Sequence, residues 1–340
     1  GKLTKSGTSF GYNALPTGAG SNAAFGTSAL ASNTSGTYNV AVGSYALTSN
    51  TSGYYNIAIG DMALKNSTIS YGNIGIGHNA LTASSAYNCI AIGTTTLEKN
   101  TTGNSNIAIG ARALSKNTTA NQSIAIGDGA LSASNGDGNF AIGTGALGAN
   151  TTGSENVALG KSAMSNNLTG GYNMAFGSQT LSNLTSGNNN IAIGFNAATS
   201  VPVTFMPLTN ATSSVFIGGS TSPNADSQTN QVVIGYSAIG RGSNTVQIGN
   251  TNMTSIGGQV AWSNPSDMRL KKDIQNSEFG LNFINKLRPV TYKMKTGTSD
   301  LQSGFIAQEV EAAANSLNYQ FSGIVKPQTD ADFYSLRYSE

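Results

Sequence analysis

Residues 106–114 read Asn106-Ile107-Ala108-Ile109-Gly110-Ala111-Arg112-Ala113-Leu114, a polar run follows over 115–122, and the phrase restarts at Ser123-Ile124-Ala125-Ile126-Gly127. It occurs eleven times. Its glycines are Gly26, Gly43, Gly60, Gly77, Gly93, Gly110, Gly127, Gly143, Gly160, Gly177 and Gly194, sixteen or seventeen residues apart. Disordered low-complexity sequence would let the apolar positions drift, and here they hold. The residue before each glycine is large and apolar. The third before it is mostly Ile or Val, and the one between is Ala in every unit but that of Gly75. Period-2 alternation with β-branched residues predicts a short strand. The large residues share one face, taken as the core side, and the Ala points to the other. A second apolar pair follows, as in Ala29-Leu30 and Ala113-Leu114, so each unit is strand, Gly corner, short second segment and polar turn.

A unit of this size cannot bury its own apolar face, but stacked units can. The repeat therefore predicts an all-β parallel β-solenoid with one coil per 17-residue unit. Eleven coils at ~4.8 Å make a rod of roughly 50 Å. Glycine suits a corner with positive φ, and the Asn-Thr-Thr-Gly stretch suits an outer turn. Four residues before each glycine stands Asn, broken only by Cys89 and Ser123. Stacked Asn side chains can hydrogen-bond as a ladder, so Cys89 reads as a substitute in the ladder and not as a nucleophile. The Ala column reads first as an intermolecular seam and second as a tight internal layer.

Charge is uneven. Residues 1–265 hold 14 charged residues and residues 266–340 hold 18. Only the second stretch approaches the usual globular density of about 25%. Three regions follow: a solenoid rod over 1–200, an irregular β stalk over 201–265 where Pro202 and Pro207 loosen the period, and a small α+β domain over 266–340. In the last, Leu281, Phe283, Ile284 and Leu287 predict a short amphipathic helix that Pro289 stops. Val290 to Lys295 alternates as a strand, and Gln308 to Leu317 predicts a second helix.

Composition removes several function classes. Net charge is +2 without a basic run, so nothing advertises nucleic acid or an anionic membrane. No apolar run approaches the ~18 residues of a membrane helix. One Cys and one His exclude a disulfide framework and a Cys/His zinc site, and no cofactor or metal is expected. His78 reads as a solvated turn residue. Asp128 and Asp137 are isolated, unlike the Asp of each coil in calcium-binding nonapeptide repeats. Asn-x-Ser/Thr sequons at Asn33, Asn50, Asn100, Asn117 and Asn150 are expected on exposed turns, where turn composition explains them and a eukaryotic host could glycosylate them. The start, Gly1-Lys2-Leu3-Thr4, shows no signal-peptide pattern and reads as the interior of something longer.

The Ala-Ile-Gly repeat resembles the head of trimeric autotransporter adhesins and, more closely, repeat regions of phage-type tail-fibre proteins. That resemblance, over about 20–200, implies a left-handed coil and a homotrimer. Ser266-Asp267-Met268-Arg269-Leu270-Lys271, then 280–293, then Gly304-Phe305-Ile306-Ala307-Gln308-Glu309-Val310, together resemble the endosialidase-type intramolecular chaperone domain. Members of that family assist trimer assembly and then cut themselves off with a Ser–Lys dyad. The resemblance makes Ser266 the nucleophile, Lys271 the base and Pro265–Ser266 the scissile bond. Asp267 and Arg269 match other fixed positions, with orienting or folding roles. The dyad is sensible without His, since a desolvated Lys can accept a Ser proton. The family's domain runs on past its last Tyr-Ser segment into a helix. A chain ending at Tyr338-Ser339-Glu340 is therefore expected to cut poorly.

The leading expectation is a trimeric surface fibre or adhesin on a virion or outside the cell, with a bacterial cell surface as the alternative. Its partners would be itself and a glycan or protein receptor, and its enzymatic activity at most one self-cleavage. The runner-up is the spacer and chaperone part of a polysaccharide-degrading tail spike. Ice binding is remote, because Thr clusters in turns instead of alternating on a strand face.

Overall fold

The computed structural model describes residues 2–4, 7–16, 20–202, 204–253, 256, 267–295, 300–327 and 333–337. They fall into two compact units, Gly1–Ile248 and Gly249–Glu340.

One sixteen-stranded sheet runs through the first unit. Lys2–Thr4 and Gly7–Phe10 pair antiparallel. Every later pairing in this sheet is parallel and in register, so Ala91, Ala108, Ala125 and Ala141 lie in one column. The chain is thus a parallel β-solenoid. Eleven strands run from Asn22–Phe25 to Ile191–Ile193, and Val215–Ile217, Val232–Ile234 and Val246–Ile248 extend the same sheet. The stretch expected to be an irregular stalk therefore carries further coils up to Ile248.

The two strand faces are the reverse of the expectation. Ala108 and every Ala in its column are fully buried, whereas Ile107 is half-buried and Ile109 is 36% exposed. The reason is space. Leu114 and its equivalents, all fully buried, fill the narrow coil from the other wall and leave room for only a methyl. Gly75 shows the fit, since a Cβ there would lie 3.3 Å from Leu64 Cδ1. Of the two readings of the Ala column, the internal layer is the one found. Each buried Leu contributes about 1.5–3 kcal/mol. These Leu residues adopt left-handed backbone, with φ of 50° at Leu114, a conformation costly for bulky side chains. Burial and the bond from Leu114 N–H to Ala130 O at 3.0 Å offset that cost.

The Asn ladder forms as read. Asn156 N–H donates to Asn139 Oδ1 at 3.1 Å, and Asn156 Nδ2 donates to Gly170 O at 2.8 Å. Cys89 takes the same place. Its N–H donates to Asn73 Oδ1 and its thiol to Gly103 O, and burial pushes its pKa up to about 11. The sequons correct an expectation. Asn33, Asn50, Asn100, Asn117 and Asn150 are buried and not on exposed turns. They build a second ladder: Asn117 Nδ2 donates to Ala120 O at 3.1 Å and to Asn100 Oδ1 at 2.7 Å. Sealed amides of this kind are closed to glycosylation in the folded chain. His78 is exposed, with Nε2 3.6 Å from Asp61 Oδ2.

One insertion breaks the period. Between Gly194 and Gly218 a hairpin pairs Ser200–Val201 with Met206–Pro207. Asp226 ties its return, because its carboxylate accepts from Thr209 N–H at 3.0 Å, Thr209 Oγ1 at 2.6 Å and Asn210 N–H at 2.8 Å. Burial raises the Asp226 pKa, but the Thr209 hydroxyl and the N–H groups of Asn210, Ser227 and Thr209 outweigh it and hold the carboxyl below its usual range. A depressed folded pKa means that the unfolded chain binds the proton more readily. Its contribution is present above the unfolded value of about 3.9 and is lost as pH falls through the folded value. Asp226→Asn should therefore lower the melting temperature at pH 7, and the gap to wild type should close below about pH 4. Thermal melts across pH check this, and a gap independent of pH would remove the carboxylate from the account.

The second unit has two helices, α1 (Gly280–Ile284) and α2 (Ala307–Asn315). Val290–Tyr292 pairs antiparallel with Gln302–Gly304, and Ile324–Val325 with Ser335–Leu336. Phe283, Val310, Ala313 and Ala314 form its small core. Phe279 and Tyr319 stack at 4.5 Å, and Phe283 meets the Tyr319 ring edge-on at 5.1 Å. Of the expected amphipathic face only Phe283 is buried, and Leu281 is 73% exposed.

Candidate auto-processing site

The Ser-Asp-x-Arg-x-Lys segment enters the second unit as a single 3-10 turn, Met268–Leu270. Asp267 caps it, its Oδ1 accepting from Arg269 N–H at 2.8 Å. The Arg269 guanidinium returns to the same carboxylate, Nε to Oδ1 at 3.0 Å and Nη2 to Oδ2 at 2.7 Å. That fork is the bidentate geometry of a strong charge-assisted pair. It lowers the Asp267 pKa and raises that of Arg269, the side-chain bond being the main cause for both. Both side chains lie in water, so the pair fixes local geometry and adds little stability.

Lys271 follows as the C-cap, its N–H donating to Met268 O at 3.1 Å. It is exposed. The local bonds thus hold Asp267, Arg269 and Lys271 in one short turn. Pro265 and Ser266 lie outside the described residues. A lysine acting as base needs desolvation to favour its neutral form, and Lys271 is exposed among the described residues.

Two features were not legible beforehand. Arg288, just before Pro289, forms a bidentate pair with Glu309 in the first turn of α2, Nε to Oε2 at 2.9 Å and Nη2 to Oε1. The two residues are 21 apart, so no local signal marks them. Around the motif, Met268, Leu270, Ile274, Leu281 and Ile284 are all exposed. The alternation of apolar and charged residues over 268–271 was the available hint. Among the described residues no helix is long and apolar enough to cross a membrane, and no cluster of three or more His, Cys, Asp or Glu could hold a metal.

A long parallel β-solenoid followed by an α+β unit opening on this motif fits a tail-fibre or tail-spike type of protein. Residues 266–319 match the family model described as chaperone of endosialidase, so the second unit carries an intramolecular chaperone segment of that kind. The match begins at Ser266 and ends at Tyr319, which is packed against Phe279 and Phe283. No curated protein matched the chain.

Proposed function

We propose that the chain is the shaft and assembly module of a homotrimeric, left-handed fibre on a virion or other outer surface. The observation that carries this is the chaperone-of-endosialidase match at 266–319 directly behind a solenoid. The exposed strand face supports it. Ile59, Ile109, Ile142, Ile193 and Ile217 lie on one side of the coils and are 36–41% exposed, and monomers rarely expose apolar patches beyond a few hundred Å². The seam between copies is this Ile face. Light scattering should give three times the chain mass, and Ile109→Glu together with Ile142→Glu should reduce it to one. Wild-type protein that stays monomeric at micromolar concentration would end this reading.

In the assembled fibre Ser266 and Lys271 cut the chain. Ser266 Oγ attacks the Pro265 carbonyl carbon while Lys271 Nζ takes its proton. The C–N bond breaks, the proton passes to the departing Ser266 nitrogen, and water then hydrolyses the Pro265 ester. Trimer closure supplies the desolvation that Lys271 lacks in one chain, so cleavage reports completed assembly. The fibre's outer surface meets a receptor.

A further inference from the structure

The Leu column that fills the solenoid stops at one place. The fourth residue after the repeat glycine is Leu or Met in ten successive coils, from Leu30 to Leu181, and all ten are fully buried. The next three are Ala198, Ser222 and Ile239. Where two adjacent knobs are cut back, a groove of about 310 Å³ opens beside the inserted hairpin. Its lining includes Asn196, Ser200, Ser220 and Ser222, with Pro202 and Ile239 as apolar wall. No charged side chain lines it.

Ser222 is the telling residue. It occupies a core position, is 3% exposed, and has its backbone fully engaged, N–H to Ala238 O at 3.0 Å and O from Gly240 N–H at 2.8 Å. Its hydroxyl has no partner. Buried polar atoms are normally satisfied, so the unpaired Ser222 hydroxyl in the lining of this groove marks a place for a polar ligand.

We propose that this groove binds a neutral sugar unit of a surface glycan. Ser, Thr and Asn side chains both donate and accept, which suits sugar hydroxyls. The uncharged lining disfavours phosphate, uronate or sialyl groups, whose charge it leaves unpaired. The volume sits at the small end of ligand sites and fits one or two sugar units. Pro202 and Ile239 offer an apolar wall to the C–H face of a pyranose. Phe195 and Tyr236, both exposed, adjoin the lining residues Asn196 and Ser237 in the chain. The proposal gives the fibre its ligand and stands whether or not the chain cuts itself.

The test is a printed array of neutral hexose and N-acetylhexosamine oligosaccharides beside sialylated and uronate-bearing ones, probed with the intact assembled protein. Neutral glycans should bind. Ser222→Leu restores the repeat residue, so it should fill the groove, raise the melting temperature and abolish the signal. Ser222→Ala keeps the space and loses the hydroxyl, and should weaken affinity about tenfold. It decides the matter should Ser222→Leu misfold. Wild-type protein that binds no neutral glycan, or binds only acidic ones, overturns the proposal and leaves a water-filled groove. So does a Ser222→Ala variant of unchanged affinity. Light scattering on the same samples separates the readings: a trimer without glycan binding removes this one, and a monomer that binds glycan removes the fibre.

Discussion

Gly110→Ala will cost the solenoid on the order of 4 kcal/mol, and Gly129→Ala, nineteen residues along, will cost about 1. Both glycines have positive φ, +125° and +65°. They differ in what a methyl meets. At Gly110 a Cβ would lie 2.6 Å from Gly127 O and 2.7 Å from its carbonyl carbon, whereas at Gly129 nothing lies within 4 Å. The same collision recurs along the column, because each repeat glycine sits on the carbonyl of the next: Gly43 meets Gly60 O at 2.4 Å, and Gly60 meets Gly77 O at 2.5 Å. Coil spacing is set by backbone hydrogen bonds such as Gly110 N–H to Ile92 O at 2.8 Å, so one coil cannot back away from its neighbour without breaking them. Urea or thermal unfolding of the two variants checks the contrast, and equal losses would show that φ alone makes these positions glycine.

Lys271→Arg will leave the Pro265–Ser266 bond uncut in the full-length, assembled protein, slowing it by about 10²–10⁴-fold as expected for loss of a general base. The substitution keeps the charge on an arm of similar length. It removes the one property the proposed dyad needs, since a guanidinium does not give up its proton near neutral pH. Ser266→Ala should stop the cut outright, and both variants should still form the trimer, since in the proposed order assembly comes first. A denaturing gel with mass spectrometry reads the result, the released fragment beginning at Ser266. A Lys271→Arg chain that cuts at the wild-type rate would transfer the base role to another group.

The repeat spacing, the strand positions and the glycine corners were legible from single residues. A coil forbids φ-restricted side chains at its tight corner in every copy, so the constraint prints itself eleven times. The first Asn ladder and the place of Cys89 in it were legible for the same reason. The motif from Ser266 to Lys271 was legible by resemblance. Its chemistry was not, because Lys271 is exposed and Ser266 lies outside the described residues.

Which strand face turns inward was undetermined by the sequence. Period-2 alternation separates Ala108 from Ile107 and Ile109 equally well with either inside. The width of the coil decides, and that width depends on Leu114 entering from the far wall. Ala108→Leu accordingly strains the interior and not a seam between chains. The sequons at Asn33 and Asn117 read as surface turns because Asn-Thr suits one; only the stacking of coils, which places Asn117 over Asn100, buries their amides. Leu114 in left-handed backbone contradicts local propensity, and burial together with its inter-coil hydrogen bond offsets the cost. The groove at Ser222 required the same knowledge. A serine after ten leucines and methionines is an ordinary substitution in the sequence, and becomes a buried, unpaired hydroxyl once the column it interrupts is known to be the core.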